Sequence, residues 1–290
     1  LKEVDMIAHN AVWLVTGCSK GLGRAIAREA LNAGYRVVVT ARRLEDVAEL
    51  VEEHGDAALA VALDVTNRDQ IAAAVRAAED RFGSVDVLVN NAGYGYLGAI
   101  EEGEDDDVRA LFETDLFAPV NLIKAVLPAM RARRNGHIVN ISSIGGLLTY
   151  PGVGWYNMVK FGVEAMSDAL AKEVAPLGIG VTVVAPGAFR TDFRGPDSMK
   201  QSATIIDDYA GTAGKLRAGT QAGHGKQPGD PVLGARAIIA AVEADKPPVH
   251  LLIGSDALEQ LRTKLDDLRR ETDAWEAVTR GTDITEKADA

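Results

Sequence analysis

The 290-residue sequence holds a single cysteine, Cys18, so no disulfide can form within the chain and a reducing, cytoplasmic setting is expected. Long apolar runs are missing. Stretches such as Val37–Val39 and Val85–Val89 are strand-length, far short of the roughly 20 residues a membrane helix needs. No basic cluster exceeds Arg131–Arg134, and the formal net charge is −11, which argues against a nucleic-acid partner. The five histidines (His9, His54, His137, His224, His250) are scattered, with no H-E-x-x-H pattern and no cysteine pair, so no metal site is expected. Ser143 lies in Ile141-Ser142-Ser143-Ile144-Gly145, which lacks the first glycine of a nucleophile elbow and disfavours a serine hydrolase. Residues Leu1 to Asn10 show no signal-peptide pattern. With Leu first and Met6 close behind, part of this tail is read as a cloning remnant and set aside.

What is present is ordinary globular material, 47% hydrophobic and 25% charged, with ample apolar surface for a core. β-Branched runs alternate with helical patterns throughout. Strands are expected near Val12–Thr16, Arg36–Thr40, Ala58–Leu63, Val85–Asn90, His137–Ser142, Val181–Ala185 and Val249–Ile253. Helices are expected near Leu22–Ala33, Leu44–His54, Arg68–Phe82, Asp106–Arg133, Gly154–Ala175, Pro231–Glu243 and Asp256–Ala277. This alternation predicts an α/β fold: a Rossmann-type, doubly wound parallel sheet of seven strands with helices on both faces. No linker divides the chain, so one catalytic domain is expected over residues 11–290, with residues 1–10 as a tail. Two helix starts carry clear signals, Thr66-Asn67-Arg68-Asp69 and Asp230-Pro231. Phe193 to Gly229 breaks the pattern with seven glycines and little β signal. Residues 192–229 are therefore a candidate substrate lid, partly helical, or else a surface insertion. Residues 255–290 read as a helical extension with a solvated face.

Two local patterns carry chemistry. Thr16-Gly17-Cys18-Ser19-Lys20-Gly21-Leu22-Gly23 follows the first strand and opens the first helix. Its glycines allow a tight turn and close backbone approach, and the helix N-terminus offers free N–H groups to a pyrophosphate. The spacing is G-x-x-x-G-x-G, so the standard dinucleotide fingerprint fails literally while its strand–turn–helix context holds. The second strand ends Thr40-Ala41-Arg42-Arg43, without the acid that usually holds the ribose hydroxyls of NAD. Arg42 and Arg43, with Lys20, favour a 2′-phosphate and hence NADP(H); exposed charges without that role are the alternative. The second pattern is Tyr156-Asn157-Met158-Val159-Lys160, where Tyr and Lys fall on one helical face. An ammonium there is expected to lower the phenol pKa toward the range of general acid–base work.

Together these residues resemble the short-chain dehydrogenase/reductase family, from about Val12 to Ile253. The glycine turn, Asn90-Asn91-Ala92-Gly93, Asp64 after the third strand, Ser143, Tyr156 with Lys160, and Pro186-Gly187 with Thr191 stand in the family's order. The resemblance implies a cofactor site of Gly17, Ser19, Lys20, Gly21, Leu22, Gly23, Arg42, Asp64, Val65, Asn90, Ala92, Gly93, Tyr156, Lys160, Pro186, Gly187, Phe189 and Thr191. It implies Tyr156 as acid–base residue, Lys160 as its activator and ribose ligand, and Ser143 as the group orienting the substrate oxygen. It also implies a homodimer or homotetramer built on the two long helices. One position departs: the family's usual catalytic Asn aligns with Asp115. That residue implies a retuned proton relay, a weakened enzyme or a shifted alignment. The function expected is hydride transfer between NADP(H) and a carbonyl or secondary alcohol; an NADPH-binding regulator with little turnover is the alternative. A methyltransferase on a similar sheet would not need the Ser, Tyr and Lys at this spacing. Tyr94, Tyr96, Leu97, Leu147, Leu148, Tyr150, Trp155, Phe189 and Phe193 fall at strand carboxyl ends, either walling a hydrophobic substrate or packing the core.

Overall fold

The computed structural model describes residues 10–284; the tail before them and residues 285–290 of the extension lie outside the described residues. Seven parallel strands form one sheet: β1 (Val12–Val15), β2 (Arg36–Ala41), β3 (Ala58–Ala62), β4 (Val87–Asn90), β6 (Gly136–Ile141), β7 (Ile179–Pro186) and β9 (His250–Ile253). Their order is β3-β2-β1-β4-β6-β7-β9. A parallel sheet is buried on both faces, which is why its strands read as near-continuous apolar runs. Alternation still sorts the side chains. Trp13, Val15, Val37, Val39, Val87 and Val89 point into one core layer. Val12, Leu14, Val38, Leu88 and Ile138 point into the other.

Helices α1 (Gly21–Asn32) and α8 (Pro231–Glu243) cover the first face. The second is covered by α3 (Arg68–Phe82), α5 (Ala118–Arg133) and α6 (Gly154–Val174). The capping signals operate as written. Asn67 accepts from the Asp69 and Gln70 amides at 3.0 and 3.1 Å, and Asp230 accepts from Val232 N–H at 2.8 Å ahead of Pro231. Gly83 closes α3 at φ +90°, a conformation open to glycine without strain.

The structure corrects several expected elements and bears out the partly helical reading of the glycine-rich stretch. The helix expected over Asp106–Arg133 is α4 (Asp105–Phe112), a π-helical turn over Glu113–Phe117, and then α5. The stretch expected as helix from Leu44 begins as a 3₁₀ turn, Leu44–Val47, before α2 (Ala48–His54). A second, two-stranded parallel sheet was not anticipated: β5 (Gly95–Leu97) pairs with β8 (Met199–Gln201). A three-residue strand is too short to leave a periodic signature. The glycine-rich stretch is partly helical, holding β8, a π-helical turn over Ala210–Gly214 and α7 (Lys215–Ala222). The last helix is α9 (Ser255–Ala274), followed by the short α10 (Glu276–Arg280).

Candidate active site

Strand order reverses at β1, whose neighbours are β2 on one side and β4 on the other. A crevice therefore opens above the carboxyl ends of β1 and β4, the usual place for a ligand in a doubly wound sheet. The glycine turn forms its floor. Gly17 and Gly21 have φ +71° and +63°, which side-chain-bearing residues avoid. A Cβ on Gly23 would stand 2.2 Å from Asn91 Nδ2 and 2.4 Å from the Gly17 carbonyl oxygen. Lys20, the N-cap of α1, makes no side-chain cap, and no acid stands in the first turn. The helix end thus leaves N–H groups and a positive dipole for an anion, and the residues present fit a dinucleotide pyrophosphate. Thr16 locks the turn to the next strand: its hydroxyl donates to the Val89 carbonyl at 3.2 Å and accepts from Asn91 and Ala92 N–H at 2.9 and 3.0 Å.

Across the crevice, Ser143 follows β6 and Tyr156 and Lys160 lie in the first two turns of α6. Lys160 is buried, its Nζ 3.2 Å from Asp115 Oδ2 and 3.3 Å from the Ile141 carbonyl it donates to. The same Nζ lies 5.6 Å from the Tyr156 ring centroid. Asp115 sits within the π-helical turn, which swings its carboxylate inward. Its Oδ1 accepts from Tyr94 N–H at 3.0 Å, while Oδ2 meets Lys160 as an ion pair without hydrogen-bond alignment. A Cβ on Gly93 would come 2.6 Å from that Oδ2, so this glycine makes room for the carboxylate.

The electrostatics differ from the expectation of a lowered phenol. Burial pushes the Tyr156 hydroxyl above its ordinary value; Lys160 and the hydrogen bond from Ser143 pull it down, and Asp115 pushes it up again. The ammonium is outweighed chiefly by burial, and the Asp115 carboxylate adds a smaller push in the same direction. Burial disfavours the Lys160 ammonium, but Asp115 and Tyr156 outweigh it and its pKa lies above the lysine norm. Burial also raises the Asp115 carboxyl, against Lys160 and the Tyr94 amide. With the ammonium at 3.2 Å, Asp115 takes up a proton earlier on acidification than an exposed carboxylate would.

Residues 11–202 match the short chain dehydrogenase family model. The oxidoreductase BOA17 of Botryotinia fuckeliana is 38% identical over 265 residues, which is 91% of this chain and 96% of that protein. The chain belongs to the short-chain dehydrogenase/reductase family. A short-chain dehydrogenase from Streptomyces avermitilis has a solved structure that superposes with a TM-score of 0.88 at 45% identity, covering 94% of this chain and 98% of that one. A family member from Burkholderia phymatum, solved in complex with NAD, superposes with a TM-score of 0.79 over 93% of this chain and 97% of its own. At 24% identity it speaks for the fold. As a short-chain dehydrogenase/reductase the protein is an oxidoreductase of a family that uses a nicotinamide cofactor and acts on CH–OH and C=O groups of small molecules. Among the described residues no helix is long and apolar enough to cross a membrane, and no cluster of His, Cys, Asp or Glu could hold a metal ion.

Within this short-chain dehydrogenase some expected site residues face the crevice by main chain alone. The Asn90 side chain donates to Asn140 Oδ1 at 2.8 Å and is buried. The Phe189 ring packs where a Cβ on Gly234 would stand, 2.6 Å away, so its side chain belongs to the core. Asp64 folds back on Thr66, accepting from its N–H at 2.9 Å and its hydroxyl at 2.7 Å, and Val65 is buried behind it. Arg43 is held by Asp46 at 3.2 Å, whereas Arg42 makes no ion pair among the described residues. Lys20 reaches to 3.9 Å from Asp197. Gly21 and Thr191 approach across a cleft of about 280 Å³ that also touches Arg190, Asp192 and His224. Of the expected substrate wall, Phe193 faces Tyr156 at 6.0 Å between ring centroids, while Tyr96 and Leu97 are buried in the core instead.

Three positioning residues carried no motif. Asn140, in the middle of β6, donates to Ser167 Oγ at 2.9 Å, and Ser167 donates to the Val163 carbonyl at 2.6 Å, fixing α6 against the sheet. Asn157 donates to the Gly145 carbonyl at 2.7 Å, tying the Ser143 loop to the helix that bears Tyr156. Asp256, at the start of α9, accepts from Ala188 N–H at 2.8 Å and fills the space a Gly187 Cβ would need. A polar residue inside an apolar strand was the one available signal, at Asn140.

Proposed function

We propose that this short-chain dehydrogenase/reductase transfers a hydride between NADP(H) and the carbonyl or secondary alcohol carbon of a hydrophobic small molecule. The observation carrying this is the meeting of Ser143, Tyr156, Lys160 and Asp115 at the carboxyl edge of the sheet, opposite the glycine turn. The turn would hold the pyrophosphate through the backbone of Gly17, Ser19, Gly21, Leu22 and Gly23. Asp64 and Val65 would flank the adenine, with Ala92 and Gly93 beside the ribose and Pro186, Gly187 and Thr191 beside the carboxamide. Arg42 and Lys20, with no acid at the end of β2, support a 2′-phosphate. Bound cofactor supplies the hydride in reduction and accepts it in oxidation.

The chain's own groups manage the proton and the developing charge. Ser143 donates to the substrate oxygen and fixes its position. Tyr156 gives a proton to that oxygen during reduction and removes one during alcohol oxidation. Lys160 holds positive charge beside the phenol, and Asp115 keeps Lys160 protonated. Phe193 and Met199, which crowd Gly95, give the space beside Tyr156 an apolar wall. Residues 192–229 act as the substrate lid of one catalytic unit, with α9 and α10 appended to it. Assembly through α5 and α6 is supported by exposed Phe117, Met158 and Phe161, and a cytoplasmic setting by the free, buried Cys18. A second reading, a dinucleotide-binding regulator, rests on Asp115.

Purified protein with NADPH and a panel of ketones and aldehydes separates them: loss of absorbance at 340 nm supports the enzyme, and binding without turnover supports the regulator. Arg42→Asp is expected to lower kcat/KM with NADPH about 100-fold and to improve the NADH ratio, through loss of a charge-assisted phosphate contact and a newly opposed charge. Wild-type preference for NADH would remove the NADP(H) assignment.

A further inference from the structure

Helix α9 leaves the body of the molecule. Past Leu261 every described residue is exposed, to the end of α10 and beyond. A helix standing in water gains little from propensity alone, and its stability normally comes from an apolar face packed on something. α9 carries such a face. Leu258, Leu261, Leu265, Leu268, Thr272 and Trp275 follow one another at alternating spacings of three and four, the seam of a coiled coil. Leu265, Leu268 and Trp275 are 55%, 46% and 62% exposed, and only Leu261 packs on the body, near Leu148 and Tyr150.

We propose that two copies of this chain associate through α9 as an antiparallel helix pair. The flanking charges select the second copy and the direction. In a parallel pair Lys264 would face Arg269, and Glu271 would face Glu276, all like-charged. In the antiparallel pair the seam closes on itself about the midpoint between Asp266 and Asp267. Leu265 then meets Leu268 of the second copy, Leu261 meets Thr272, and Leu258 meets Trp275. Lys264 faces Glu271 of the second copy, twice by symmetry. Arg262 faces Arg269 of the second copy, and Arg269 already has Asp273 at 3.8 Å on its own helix to offset that repulsion. In this arrangement the two bodies lie at opposite ends of a helix pair about 30 Å long. A lipid surface fits less well, because the exposed face mixes Arg262, Lys264, Arg269 and Arg270 with Glu259, Asp266, Asp267, Glu271 and Asp273 and has no net positive charge.

Light scattering across a concentration series tests this on the full chain. Leu265→Glu with Leu268→Glu changes only exposed positions far from Tyr156, so oxidoreductase activity serves as the folding control, with helical circular dichroism beside it. The particle mass of this double variant is expected to be half that of the wild type. Lys264→Glu is expected to weaken association about threefold or more, and Lys264→Glu combined with Glu271→Lys to restore it. A monomeric wild type, an unchanged mass in the leucine variant, or a charge-swapped pair as weak as the single reversal would each overturn the proposal.

Discussion

Asp115 sets the electrostatic character of the site because it places a buried carboxylate 3.2 Å from the Lys160 ammonium. A neutral amide beside Lys160 would leave the ammonium free to act on Tyr156 alone. The carboxylate instead takes part of that ammonium, 3.2 Å away, and pushes the phenol upward through its own field. Asp115→Asn removes that field, so the Tyr156 pKa falls. In the proposed mechanism alcohol oxidation needs the phenolate and rises with pH through that pKa. In Asp115→Asn the rise is expected at lower pH, with turnover retained, as read from kcat–pH profiles. A collapse of turnover at every pH would show that the acid has its own part in the chemistry. The sequence revealed which residue stands at this position but not its effect, because the balance of burial against two opposed charges exists only once α4, α5 and α6 pack together.

At the scale of elements, the π-helical turn between α4 and α5 and the strap over residues 192–229 are the parts that a periodic pattern does not disclose. Both take their form from partners distant in sequence. The strap is held by acids of the segment after β5. Buried Glu102 accepts from Arg217 at 2.7 Å, Ile206 N–H at 3.0 Å and Ala99 N–H at 2.7 Å, and Lys200 reaches Asp107 at 2.6 Å. Glu102→Gln leaves the Arg217 guanidinium without its carboxylate, a loss on the order of 3 kcal/mol for a buried pair. Limited proteolysis within residues 202–217 is then expected to speed up, with KM raised and kcat changed by less than about twofold. Unaltered cleavage would mean the strap is held elsewhere. The β6–β7 pairing contains a second sensitive point. Burial lowers the His137 pKa from 6.5 to about 4, with Thr182 Oγ1 at 2.9 Å from its ring. Between those values the unfolded chain binds the extra proton, so stability rises with pH and is lost on acidification, by about 3 kcal/mol in all. Denaturant titrations of His137→Gln across that window are expected to show a shallower slope than the wild type. An equal slope would assign the acid sensitivity to other groups.

Across the whole molecule, the seven strands and the α3 and α8 helices were legible because a parallel sheet buries both faces and writes itself as repeated β-branched runs between amphipathic helices. Tyr156 and Lys160 were legible as a pair on one helical face and Ser143 through the family resemblance; the fold brings the three near one another. Asn157 and Asp256 were not legible, since each acts through a main-chain group that only the fold brings near, and Asn140 stood out only as a polar residue in an apolar strand, its partner Ser167 undisclosed. That fold sets the glycine turn opposite the Tyr156 hydroxyl, and the account stands on a proton passing through that hydroxyl as hydride moves. Tyr156→Phe removes one oxygen and leaves the ring beside Phe193. Measured with NADPH and a ketone that the wild type reduces, kcat is expected to fall by at least about 100-fold while NADPH still binds. Turnover equal to the wild type would contradict the account.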